Sequence, residues 1–144
     1  MSPSKRLSPV QRIAQSRERK AARHMGESHK NLLAEEARLL QLKQYHEEYL
    51  ARFEAAARQG LSSAQLQEYR AFLDKLDQAI GQQERVVEAR KLDHSSRQDN
   101  WRETHVRSQA LDKVVRRYRQ QERQTADHQE QKESDDRSQR GLKR

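Results

Sequence analysis

The stretch Gln59-Gly60-Leu61-Ser62-Ser63-Ala64-Gln65 decides the fold. Within seven residues it carries signals for ending one helix and starting another. Gly60 suits the position just past a helix C-terminus, where positive φ is favoured and glycine alone takes it without steric cost. Ser62 can cap the next helix, with Gln65 three residues on to complete a capping box and Leu61 placed to pack on Leu66 as a hydrophobic staple. A chain with these signals turns back on itself here.

Downstream of the turn, with Leu66 as heptad position a, the a/d series is Leu66, Tyr69, Leu73, Leu76, Ile80, Gln83, Val87, Arg90, His94, Arg97, Trp101, Thr104, Ser108, Leu111, Val115 and Tyr118, without a stutter. Upstream the series is Leu7, Gln11, Ala14, Glu18, Ala21, Met25, Ser28, Leu32, Glu35, Leu39, Leu42, His46, Tyr49, Phe53 and Ala56. Apolar and aromatic residues hold most of both series, and strand-like alternation is absent, so the periodicity predicts two long amphipathic helices. Folding at residue 61 opposes Phe53 to Tyr69, Tyr49 to Leu73, Leu42 to Ile80 and Ala21 to Trp101. Each pair joins an a to a d position, as an antiparallel coiled coil requires.

Composition agrees with a helical assembly and excludes other classes. Leu, Ile, Val and Phe make up only 24 of 144 residues, too few for an ordinary globular interior, whereas Ala, Glu, Lys, Leu and Arg make up 73. Both prolines, Pro3 and Pro9, fall in the first nine residues, so no later position lacks a backbone donor. The expected fold is all-α, a long antiparallel two-helix coiled-coil hairpin with a disordered tail. Its expected parts are a flexible segment 1–9, a hairpin 10–125 (helix 10–59, turn 60–62, helix 63–125) and a frayed or disordered tail 126–144. The tail is assigned on its near-total lack of apolar residues. The loop half of the seam carries Leu, Ile, Tyr and Phe while its middle carries Ser28, Arg90, His94 and Arg97, so stability should be uneven and marginal.

No apolar run exceeds three residues, far below the roughly 18 to 20 that span a bilayer. There is no cysteine, hence no disulfide or thiolate metal site, which fits a cytoplasmic protein. Gly26, Gly60, Gly81 and Gly141 are too scattered for a phosphate-cradling loop. The six histidines fall into no recognised metal motif, and His24 and His29 are five apart rather than four. Glu47-Glu48 and Asp135-Asp136 are paired carboxylates on exposed helix, with no cleft to perturb them. No catalytic residue, cofactor-binding residue or metal ligand is expected, and the chain is not expected to be an enzyme.

Charge is polarised. The net charge is +8, with residues 1–30 carrying 8 basic and 2 acidic side chains, residues 31–100 carrying 10 and 12, and residues 101–144 carrying 12 and 8. A hairpin gathers the excess at its open end, which could seek an acidic partner or a phosphate backbone. Arg116-Arg117-Tyr118-Arg119 and Trp101 keep a nucleic-acid-binding coiled coil open as a rival, but interspersed acidic residues and the lack of a recognised motif count against it.

Beside the seam near the turn runs a further apolar stripe. Tyr45, Phe72, Ala79 and Val86 occupy g positions, and the g edges of an antiparallel pair lie on one side. With the d residues Leu42, Tyr49 and Leu76 they form a patch wider than two helices need. Such a patch marks a binding surface unless it only widens the core or is buried in a homodimer.

Residues 42–49 (Leu-Lys-Gln-Tyr-His-Glu-Glu-Tyr), the turn at Gly60, residues 69–80 (Tyr-Arg-Ala-Phe-Leu-Asp-Lys-Leu-Asp-Gln-Ala-Ile) and Trp101 together resemble the flagellar FliJ family. The resemblance spans nearly the whole chain and is strongest over residues 38–87. It implies a cytoplasmic component of the flagellar type III protein export apparatus, peripheral to the inner membrane at the flagellar base. It further implies an antiparallel coiled coil similar to the central stalk of rotary ATPases. Such a stalk inserts in the ring of the export ATPase FliI, promotes its assembly and activity, contacts the export gate protein FlhA and engages flagellar export chaperones. The family's gate-contacting surface maps by motif onto Leu42, Tyr45, Tyr49, Phe72, Leu76 and Ala79, with Arg38 and Gln83 as an extension. The ring-inserting end would be the basic open end. No stable nucleic-acid complex is expected. The equivalent stalk of a virulence-associated secretion system shares the same physics and stays open as an alternative.

Overall fold

The computed structural model describes residues 1–142. They form two helices, α1 (Pro3–Gln59) and α2 (Ser63–Leu142), with no strand among the described residues. The chain divides into two compact units. Unit 1 combines Met1–Ala22 with the segment from Asn100 onward, and unit 2 is Arg23–Asp99.

Unit 2 contains the turn. Gly60 has φ +99°, in the left-handed region, and its N–H donates to the Ala57 carbonyl at 3.3 Å. The capping box closes as the sequence predicts: Gln65 N–H donates to Ser62 Oγ at 3.2 Å, and Ser62 N–H donates to Gln65 Oε1 at 3.1 Å. Two orphan donors at the start of α2 are thereby satisfied within the turn. Next to it, aromatic rings fill the seam. The Phe53 and Tyr69 centroids lie 5.5 Å apart, Tyr49 and Tyr69 5.3 Å, and Tyr49 and Phe72 4.3 Å, all tilted. Leu76 and Val87 are buried. Farther along, the seam turns polar. His46 Nε2 meets Asp77 Oδ1 at 2.9 Å, Gln83 Nε2 donates to the Glu35 carbonyl at 3.0 Å and to its side chain, and Ser28 Oγ bonds His94 Nδ1 at 2.8 Å.

Unit 1 pairs its two segments antiparallel through different chemistry. Gln11 Nε2 donates to Asp112 Oδ1 at 2.7 Å, and Glu18 Oε1 meets His105 Nδ1 at 2.6 Å. Val115, Ala21 and Ser108 are buried beside these contacts. The indole of Trp101 stacks on His105 with centroids 4.9 Å apart and planes at 15°.

Helix extends beyond both expected boundaries. α1 starts at Pro3 rather than near residue 10, and the reason is visible on α2. Ser4 is buried, its backbone N–H donates to Glu122 Oε1 at 3.1 Å, and its Oγ donates to Glu122 Oε2 at 2.7 Å. A carboxylate from the opposing helix thus caps the first turn of α1, the end where helix donors are unpaired and the dipole favours negative charge. These bonds hold the Glu122 carboxyl below its ordinary pKa, the Ser4 hydroxyl first and the Ser4 amide second. Pro3 falls in the first turn, where its missing N–H costs nothing, and Pro9 is accommodated inside α1 on an exposed position. α2 likewise runs past residue 125 to Leu142, through the segment expected to be frayed or disordered, with every residue from Arg123 to Leu142 exposed. The last two residues of that tail, 143 and 144, lie outside the described residues.

The a/d frame is the true seam within each unit. Every a and d position predicted in α1 from Leu7 to Ala56 is buried or half-buried, and of those in α2 only Arg90 and Arg97 are exposed. Long cationic side chains keep their heads in water even where the backbone faces the partner helix.

Candidate functional site

The g edge of unit 2 carries the predicted patch. Helical periodicity places Tyr45 one turn before Tyr49 on α1, and Phe72 one turn before Leu76 on α2, so seam and edge residues from both helices adjoin. Tyr45 is 51% exposed and Phe72 44%, whereas Tyr49, Leu42 and Ala79 are half-buried and Leu76 is buried. Four of the six expected residues, Tyr45, Tyr49, Phe72 and Leu76, line one cleft of about 330 Å³. Leu42, a d residue, and Ala79, a g residue, lie outside that lining. Buried Leu76 and the ring contact of Tyr49 with Phe72 fix the floor, and the Tyr45 hydroxyl accepts a long bond from Gln41 Nε2 at 3.5 Å.

Two further residues line the cleft, Glu48 and Arg52. A search for apolar g residues passes over them. Arg52 is itself the next g position after Tyr45, so extending the g series without regard to polarity finds it. The expected extension divides: Arg38 is exposed and pairs with Glu35 at 3.6 Å, while Gln83 points into the seam and bonds that same Glu35. Gln83 therefore fixes helix register in this structure.

The aromatic residues that kept nucleic-acid binding open are engaged elsewhere. Trp101 is half-buried and stacked on His105, and Tyr118 is half-buried at its seam position, while Arg116, Arg117 and Arg119 are exposed. Among the described residues no group of three or more His, Asp or Glu is gathered as a metal site, and no helix is long and apolar enough to cross a membrane.

A shallow cleft with an aromatic floor, open to solvent and rimmed by one carboxylate and one guanidinium, can hold a protruding side chain of another protein. The class is thus a helical-hairpin coiled coil with an exposed aromatic edge. The chain belongs to the family described as Flagellar FliJ protein, which matches residues 3–144, and this makes it a component of flagellar protein export. No curated protein and no solved structure matches the chain.

Proposed function

We propose that this chain is the central-stalk-like coiled coil of the flagellar type III export machine. It promotes assembly and activity of the export ATPase ring of FliI and links that ring to the gate protein FlhA and to export chaperones. It works in the cytoplasm, peripheral to the inner membrane at the flagellar base, and does so as a non-catalytic partner. The observation that carries this reading is the unit 2 edge, where Tyr45 and Phe72 stay exposed on a floor set by Tyr49 and Leu76. Aromatic anchors in a desolvated centre with polar rim residues are the usual make-up of an interface hot spot. The basic balance of unit 1, 18 basic to 9 acidic side chains against 12 to 13 in unit 2, supports a separate role for unit 1 at an acidic surface.

Co-purification with the export ATPase, with hydrolysis measured in the presence and absence of this chain, tests the stalk. A complex and a raised rate are expected; neither would leave a helical adaptor. For the gate, Tyr45→Ala combined with Phe72→Ala should weaken FlhA binding by about tenfold or more, and reduce motility, with helix content near wild type. Unchanged gate binding removes the cleft from the mechanism. Micromolar, salt-dependent affinity for duplex or single strands at physiological salt would favour the nucleic-acid reading instead.

A further inference from the structure

Unit 1 contains a second exposed apolar surface, more extensive than the aromatic cleft. A groove of about 400 Å³ runs between the two helices, with Val10, Ile13, Ala14 and Leu111 among its lining and Arg17 and Arg107 in its walls. Val10 is 47% exposed and Ile13 55%. These residues are not isolated surface aliphatics. Val10, Arg17 and Arg107 occupy g positions, and each helix contributes about two turns to the groove.

The occupant is constrained by charge and shape. Among the described residues no carboxylate pairs with Arg17, and the nearby acids are engaged: Glu18 by His105, Asp112 by Gln11, and Glu103 by Arg107 at 3.0 Å. That last pair is an exposed contact between two solvated side chains, so Arg107 exchanges it at little cost. Unit 1 as a whole carries twice as many basic as acidic side chains. Like-charge repulsion disfavours a second copy of unit 1 on this face. The segment beyond residue 125 of this chain has acidic residues but no apolar stripe with which to fill the groove. A long, shallow trough between two antiparallel helices fits a third helix, whose apolar residues at i, i+3 or i+4 and i+7 would match the two-turn length.

We infer that this unit 1 groove is a docking site for an acidic amphipathic helix of a partner protein, with Val10, Ile13 and Leu111 taking its apolar face and Arg17 and Arg107 its flanking carboxylates. The site is separate from the aromatic cleft of unit 2, and the inference stands whether or not that cleft binds the export gate.

The test uses the full-length protein and a fluorescein-labelled helical peptide with a leucine stripe at i, i+3, i+4 and i+7 flanked by glutamates. Its controls are a scrambled peptide of the same composition and one with lysines in place of the glutamates. Anisotropy should show saturable binding of the glutamate peptide at least about tenfold tighter than either control. Ile13→Asp, and separately Val10→Glu with Arg17→Glu, should weaken that binding about tenfold or more while circular dichroism holds steady, because these side chains are exposed. Tyr45→Ala with Phe72→Ala should leave it unchanged. Equal affinity for the scrambled or lysine peptide overturns the inference, as does full binding by Ile13→Asp. Displacement of the peptide by a 20-base-pair duplex with no effect of Ile13→Asp would make this face a phosphate-binding one. Concentration-dependent dimerisation abolished by Ile13→Asp would make it a homodimer contact. Either result also overturns the inference.

Discussion

Beside the turn of unit 2 the helices meet through rings, whereas in unit 1 they meet mainly through single hydrogen bonds. Tyr49, Phe53, Tyr69 and Phe72 bring four aromatic side chains together beside the turn, and Leu76 and Val87 carry the seam onward. Unit 1 has Val115 and Ala21 as its buried apolar side chains among the described residues, and otherwise relies on Ser4 with Glu122, Gln11 with Asp112, and Glu18 with His105. Burial of apolar area is distributed, non-directional and indifferent to ionisation. Directional polar contacts concentrate cohesion in a few groups whose charge matters. The same heptad frame thus supports one unit led by apolar burial beside its turn and another led by directional contacts.

The largest effect should come from the ring cluster. Phe53→Ala removes the ring that packs on Tyr69 and should cost about 2–4 kcal/mol in urea unfolding, somewhat less than a fully enclosed phenylalanine because Phe53 is half-buried. A loss below about 1 kcal/mol would break the contrast, since unit 2 would then not depend on its aromatic residues. Next comes the turn. Gly60→Ala forces a side chain into the left-handed region at φ +99° and should cost about 1–2 kcal/mol, although nothing lies within 4 Å of the added Cβ. The penalty is torsional and should be the same at pH 7 and pH 4.

The smallest effect sharpens the contrast most. The bond from His105 first, and that from Ser108 second, hold the Glu18 carboxyl below its ordinary pKa of 4.5. A carboxyl depressed in the folded state contributes stability that is present above its unfolded pKa and is lost as pH falls through its folded pKa. Acid should therefore weaken unit 1 from about pH 4.5 downward, and Glu18→Gln should remove part of that dependence. The thermal midpoint of wild type should fall further between about pH 6 and about pH 3.5 than that of the variant. Equal falls would show that this contact does not set the acid response.

Most of the seam was legible because heptad spacing is a property of the chain alone. The turn at Gly60, the capping box of Ser62 and Gln65, and the opposition of Phe53 to Tyr69 all follow from local chemistry plus one fold-back. The start of α1 was not legible, because Ser4 is capped by a carboxylate more than a hundred residues away. The local signal at this end is Ser2 before Pro3, its Oγ accepting from the Lys5 amide at 3.4 Å, which the sequence reading passes over. The edge was legible in part. Tyr45, Tyr49, Phe72 and Leu76 announce themselves by hydrophobicity, whereas Glu48 and Arg52 are ordinary helix residues until the cleft places them on its rim. Gln83 shows the converse: the resemblance adds it to the edge, but its d position puts it in the seam, where its amide bonds the carbonyl and side chain of Glu35.

The left-handed torsion at Gly60 also governs molecularity. Only Gly60, Leu61 and Ser62 separate the two helices, so relaxing these three residues, Gly60 from its left-handed torsion, to helical values would let α1 run straight into α2. The hydrophobic stripes could then be covered only by another molecule, in a strand-exchanged dimer that reuses the same ring contacts between copies. One glycine thereby sets whether this sequence closes on itself or reaches for its twin.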